Sequence, residues 1–231
     1  GVIIGIAAIV GMVSATQGIS VSISSELEKL QGNIITIVPA GEIGTIGRSA
    51  GAGLAEKDVN IVLNVSGVET AYGVVRTSVF VYYGEEAKVL TVAGVSPSDF
   101  QKLDTLGVEA GRYLKDSDKF AALIGNSVAY EKYDRDIGIR KKITINGGEF
   151  QVVGILNKAG GAFATSDTTV YIPKDEMRDL FQLPTDRVDS IIVGVKSDAN
   201  ISEVADRISE ELRRSHKVTE GNEDFDVITP E

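Results

Sequence analysis

Few residues in this 231-residue chain have the type and spacing to do chemistry. Gly47-Arg48-Ser49-Ala50-Gly51 matches the G-x-S-x-G nucleophile elbow, which requires a strand directly before the serine and a helix directly after it. Ser49 instead sits inside a glycine-rich run, and its base would have to be His216, the single histidine. His216 stands beside Arg213, Arg214 and Lys217 at the end of a helical pattern, where positive charge complements the helix dipole. The same glycine-rich run fails the dinucleotide fingerprint, because Gly51 and Gly53 are followed by Glu56 where the third glycine belongs. It also lacks the Gly-Lys-Ser/Thr of a phosphate loop. Asp116 and Asp118 lack the later ligands and central glycine of a calcium loop and read as a solvated turn. Asp134 and Asp136 with Arg135, and Asp175, Glu176 and Asp179 with Arg178, read as exposed helical charge faces, not as metal or carboxylate-pair sites. Asn64-Val65-Ser66 and Asn200-Ile201-Ser202 match the glycosylation acceptor pattern, although Asn200 is better explained as a helix cap. No catalytic, cofactor-binding or metal-ligating residue is assigned, and no cofactor is expected.

Composition narrows the function further. The chain has no cysteine, which removes thiolate catalysis, cysteine zinc sites and iron–sulfur clusters and leaves the redox compartment open. A formal net charge of −10 argues against a nucleic-acid partner, because neutralising phosphates requires clustered Lys and Arg. The charge suits a soluble domain held away from anionic lipid.

The element that organises the chain is its first, Gly1 to Leu30, whose first 25 residues carry no charge. The run GVIIGIAAIVGMVSA is apolar all round, whereas Ile19, Ile23, Leu27 and Leu30 recur at steps of three and four among serines and charged residues. A helix continuous to Gly32 would change solvent along its length. Its apolar part is shorter than the roughly 20 residues of a full span, and no basic segment of a signal peptide precedes it. It therefore reads as the truncated end of a membrane helix. Gly1, Gly5, Ala8, Gly11 and Ala15 form a small-residue stripe along which a second helix can approach closely in lipid. A buried core helix is the alternative.

Beyond it, Asn33 to Val38 is a β-rich run closed by Pro39, and Gly41 to Gly53 is a mobile glycine-rich loop. A helix is predicted from about Ala55 to Asn64, followed by strands at Val68 to Tyr83 and Lys88 to Val95 joined through Gly84 and Glu85. After Pro97 come helical turns at Phe100 to Leu106 and strands at Ala121 to Gly125, Lys142 to Ile145 and Phe150 to Leu156. Asn146-Gly147-Gly148 is a hairpin turn. Strands follow at Thr168 to Ile172 and Val188 to Val195. Asn200 with Glu203 then starts a helix that buries Ile201, Val204, Ile208 and Leu212. Asp224 to Thr229 is a last strand, ended by Pro230. The fold class is α+β: a ferredoxin-like, porter-type layer built from both chain ends, residues 32–97 plus 185–231, with an inserted small α/β subdomain at 98–184 and residues 1–31 in front.

The order of these features resembles the extracytoplasmic (periplasmic) core domain of MacB-type ABC transporter permeases, the group that includes FtsX-like and lipoprotein-releasing permeases. The likeness rests on GVIIGIAAIVGMVSATQG, LQGNIITIVPAG, LAEKDVNIVLNVSGVETAYGVV, VAGVSPSDFQ, the pair Gly111-Arg112, ALIGNSVA, ITINGGEFQVVGILNKAGG and DTTVYIP. Ser66-Gly67-Val68 departs from the proline usual before that strand. The resemblance implies a domain between the first two membrane helices of a permease in the cell membrane. A second copy of the permease, membrane lipid, a separate cytoplasmic ABC ATPase and an extracytoplasmic adaptor would be its partners.

The function read from the sequence is therefore that of a non-enzymatic extracytoplasmic domain. It would couple ATP-driven movement of membrane helices to export or release of a substrate, or to a partner protein. A membrane-anchored ligand-binding or adaptor module is the second reading, which an apolar cleft with converging polar groups would favour. A hydrolase using Ser49 and His216 is the third.

Overall fold

A computed structural model describes residues 33–40, 53–159 and 164–230. The apolar segment from Gly1 to Leu30, the stripe Gly1, Gly5, Ala8, Gly11 and Ala15, and Ser49 lie outside the described residues, as does most of the loop from Gly41 to Gly53. In chain order the elements are β1 (Ile34–Pro39), α1 (Glu56–Leu63), β2 (Val68–Tyr83), β3 (Glu86–Val95), α2 (Pro97–Leu103), β4 (Val108–Gly111), β5 (Ala121–Ile124), α3 (Asn126–Tyr130), β6 (Lys142–Ile145) and β7 (Gly148–Leu156). They continue with α4 (Ala164–Asp167), β8 (Thr169–Pro173), α5 (Lys174–Phe181), β9 (Ser190–Val195), α6 (Ile201–His216) and β10 (Phe225–Ile228).

Alternation along β1 buries Ile35 and Ile37 completely and leaves Ile34 and Thr36 half-buried. Both of its neighbours come from the far end of the chain: β9 and β10 pair with it antiparallel, and β9 pairs antiparallel with the first half of β2. The strand order here is β10-β1-β9-β2. One face of these four strands carries α1 and α6, whose Val59, Val62, Val204, Ile208 and Leu212 pack with Ile35, Ile37, Ile191 and Val193. Val204, Ile208 and Leu212 are fully buried at helical spacing. Each contributes about 1.5–3 kcal/mol of transfer free energy, an upper estimate set by the unfolded reference. Asn200 caps α6, its Oδ1 accepting from the Ser202 and Glu203 amides at 3.0 and 3.3 Å.

The second half of β2 leaves this sheet. Val75 to Tyr83 pair with β3, and the pairing then runs β3-β8-β5-β7. Strand β6 joins β7 back to Val81 and Tyr82 of β2, so these six strands close into a circuit. Its interior is filled by Val75, Val81, Ile143, Ile145, Phe150, Val152, Ile155 and Ile172. Asn146 and Gly147 make the two-residue β6–β7 turn with φ of +45° and +81°, the geometry asparagine and glycine tolerate. On the outside of the β2–β3 hairpin, Phe80 and Val89 face each other across the ladder and are 55% and 60% exposed.

Several details differ from the sequence reading: Asp134, Arg135 and Asp136 lie outside any helix, and Pro173 pairs with Val95 as the last residue of β8. Pro39 does not close β1 but pairs with Phe225. It is tolerated because β9 accompanies β1 only as far as Ile37, so no partner on that side requires the missing N–H. Strand β4 and helix α3, four and five residues long, have too little periodicity to read from sequence.

Candidate functional site

Three polar or hollow places stand out, and each is built by elements distant in sequence. The first lies behind α1. Asp58 sits in the first turn, where its Oδ2 accepts the Ala55 amide at 2.9 Å, and its side chain is fully buried. At the end of α6, His216 points inward and not to solvent: its side chain is 6% exposed, with Nδ1 2.8 Å from Asp224 Oδ1 and Nε2 3.1 Å from Asp58 Oδ1. The Asp58 contact is close but poorly aligned, leaving both of its atoms without a properly directed hydrogen bond. Phe225 packs edge-on against the ring at 5.6 Å. Helix-dipole complementarity therefore does not account for His216; two carboxylates do. With each ring nitrogen facing a carboxylate, the histidine has no position from which to act as base on a third group.

The second place joins α1 to α5. Glu56 Oε1 receives both Lys174 Nζ and Arg178 Nη2 at 2.6 Å, and Arg178 Nη2 also donates to the Arg187 carbonyl at 3.1 Å. The Arg178 side chain is 12% exposed, so the charged face expected on α5 is in part a buried contact. Burial alone would raise the Glu56 pKa, but the hydrogen bonds and charges of Lys174 and Arg178 outweigh it and hold the carboxyl below its ordinary value of 4.5. Asp118 is likewise more than a solvated turn. It grips Arg112 through both oxygens at 2.6 and 3.0 Å and accepts the Lys115 amide, and the Arg112 bond holds its pKa down.

The third place is a cleft of about 400 Å³ over the face of the four-stranded sheet opposite α1 and α6, where α2 packs along one side. The registers place Tyr72, Ile192, Thr36 and Ile228 in one row across β2, β9, β1 and β10, all lining the cleft. Val95 of β3, Phe100 and Leu103 of α2, and Tyr171 of β8 form the opposite wall. Phe100 packs against Tyr171 with ring centroids 4.8 Å apart and planes tilted by 45°. At the mouth Arg76 is exposed, and Asp104 Oδ2 accepts from Tyr113 Oη at 2.6 Å and the Gly107 amide at 2.9 Å. Burial, then the neighbouring Tyr171, pushes the Tyr72 phenol above its ordinary range.

None of these assemblies was assigned from the sequence. The even-numbered positions Tyr72, Val74 and Arg76 carry the only signal, a strand with a second face that is neither wholly apolar nor wholly polar. Asn64 donates to the Asn60 carbonyl at 2.7 Å within its own helix end. Among the described residues no three His, Cys, Asp or Glu side chains converge as metal ligands, and no helix is long and apolar enough to cross a membrane.

Comparison with known proteins agrees with the resemblance. The sequence matches the MacB-like periplasmic core domain family over residues 1–211. The ABC transporter permease MJ1507 of Methanocaldococcus jannaschii is 31% identical over 100% of this chain and 56% of that protein. The macrolide export ATP-binding/permease protein MacB of Chlorobium phaeobacteroides is 26% identical over 98% of this chain and 36% of its own length. The chain thus spans about half or less of the curated relatives it matches. In fold, it superposes on the periplasmic region of MacB from Actinobacillus actinomycetemcomitans with a TM-score of 0.68 at 18% identity, covering 88% of this chain and 91% of that one. The extracellular domain of the transporter YknZ from Gram-positive bacteria gives 0.62 at 22% identity, covering 85% and 100%.

Proposed function

Since this chain belongs to the family of MacB-like periplasmic core domains, we propose that it is the extracytoplasmic domain of an ABC transporter permease. It passes ATP-driven movement of membrane helices to an extracytoplasmic substrate or partner. The match over residues 1–211, shared with relatives that are ABC permeases, is the observation that carries this reading. Residues 1–31 are the end of a membrane helix set in lipid, and Gly1, Gly5, Ala8, Gly11 and Ala15 form the face on which a second helix packs. The layer from residues 32–97 and 185–231 is a ferredoxin-like porter half, supported by the order β10-β1-β9-β2 with α1 and α6 on one face. Residues 98–184 form the inserted half, into which β2 and β3 extend from outside that range.

In this reading the permease is a homodimer in the cell membrane, with the domain on the extracytoplasmic side. ATP is hydrolysed by a cytoplasmic ABC ATPase on another chain or domain, and an extracytoplasmic adaptor extends the path. Within the domain, β2 is the coupling element, because one backbone serves both sheets and at about 3.3 Å per residue its 16 residues span roughly 50 Å. The test is co-purification of the complete permease with the ABC ATPase encoded beside it. ATP turnover is then measured with and without a reducible thiol-specific cross-linker joining cysteines introduced at Glu56 and Arg178, positions that meet through the tips of their side chains within a stretch of 231 residues free of cysteine. The expected result is a stable complex whose turnover falls when the cross-link forms and recovers on its reduction. A permease that purifies without any ATPase, or turnover indifferent to the lock, overturns the proposal.

A further inference from the structure

We propose that the cleft between this sheet face and α2 binds a small amphiphile, its apolar body against the sheet and α2 and its singly charged anionic head held by Tyr72 and Arg76. Its volume of about 400 Å³ falls within the roughly 300–1,000 Å³ of pockets that enclose drug-sized ligands. Ile192, Val74, Phe100 and Leu103 give it walls that favour an apolar body.

The polar groups choose the head. Tyr72 is 6% exposed and lines the cleft, yet its hydroxyl has no hydrogen-bond partner among the described residues. Its oxygen opens to the cleft, where it can donate to a guest in place of water. A phenol is protonated at neutral pH and so has a hydrogen to donate. Arg76 stands four residues along the same face of β2, and its guanidinium makes no ion pair among the described residues. Donor and cation together favour a sulfonate or carboxylate oxygen. Asp104 at the same mouth already accepts two hydrogen bonds on Oδ2, and its negative charge opposes a doubly charged head such as phosphate. The site requires neither an ATPase nor a membrane, so its test stands apart from that of the permease reading.

The test titrates the full chain in detergent-free buffer with anilinonaphthalene sulfonate and, in parallel, with phenylnaphthylamine, the same ring system without the sulfonate. Saturable fluorescence with both probes is expected. Thr36→Trp, which fills the middle of the row, should remove it for both. Where that variant fails to fold by circular dichroism, Ile228→Trp at the exposed end of the row serves instead. Tyr72→Phe and Arg76→Gln should each weaken the sulfonate about five- to tenfold and leave phenylnaphthylamine within about twofold. The double change Phe80→Ser, Val89→Ser on the distant hairpin should alter neither. Absence of saturable binding, binding that survives the tryptophan, or an Arg76→Gln effect equal for the two probes overturns the proposal.

Discussion

Replacing Glu56 by alanine should cost the fold about 2–3 kcal/mol. The carboxylate is 31% exposed, while the cations it holds, Lys174 and Arg178, are 17% and 12% exposed, so the change strands two charges that water reaches poorly. Removing one partner of a fully buried pair costs about 3–5 kcal/mol, and the partial exposure here scales that down. For a chain of this size the melting temperature should fall by about 5–10 °C, read by calorimetry or circular dichroism. Replacing Glu56, Lys174 and Arg178 together by methionine should restore part of the loss, because no unpaired charge remains. The pH dependence provides a second check. A carboxyl whose folded pKa lies below its ordinary 4.5 contributes stability that is fully present above 4.5 and is lost as pH falls through the folded value. The difference between wild type and Glu56→Gln should therefore be constant near neutrality and shrink as pH drops below about 4.5. An alanine variant within about 0.5 kcal/mol of wild type would refute the reasoning. So would a glutamine difference undiminished at pH 3.

Tyr133→Phe removes a buried 2.8 Å donor to the Val81 carbonyl that ties the end of β2 to the loop after α3, and should cost about 1–2 kcal/mol in urea unfolding. Gly154→Ala should be worse, about 2–3 kcal/mol or no folded protein, because its Cβ would sit 2.1 Å from the Arg112 carbonyl oxygen. Gly53→Ala, with nothing within 4 Å, is the matched control and should leave the melt unchanged. Asp118→Asn should lower stability by about 1 kcal/mol at pH 7, since its Arg112 partner is 41% exposed. That loss too should disappear as pH falls through the depressed Asp118 pKa, because there the wild-type carboxyl is also neutral.

Wherever a local pattern decided local structure, the sequence was readable. The 3.6-residue spacing of Val204, Ile208 and Leu212 with Asn200 in front set α6, and Asn146-Gly147 set the β6–β7 turn, because propensity and tertiary packing agree there. The sites were hidden for the opposite reason. His216 follows two arginines and so reads as part of a basic helix end. Only the helical rotation of about 100° per residue, which sets His216 roughly 160° round α6 from Arg214, decides that one points at Asp58 while the other points to solvent. Arg178 looked like a surface charge because its carboxylate partner lies 122 positions earlier. The cleft's floor is a row across four strands from opposite ends of the chain, and no window of sequence contains it.

The pairing of β1 also sets a clock on biogenesis. Among the described residues both partners of this strand lie near the far end of the chain, Ile37 opposite Ile191 and Val227. A ribosome adding about 5–20 residues per second needs roughly 8–30 s to cover the intervening stretch of about 150 residues. For that interval an apolar strand waits with both edges open, while β2 through β8 can already close their own circuit. A chain made as far as β8 therefore holds one finished core and one sticky ribbon. Premature termination or slow synthesis within residues 100–190 should yield aggregation-prone fragments, and whatever guards the nascent chain must shield its earliest strand longest.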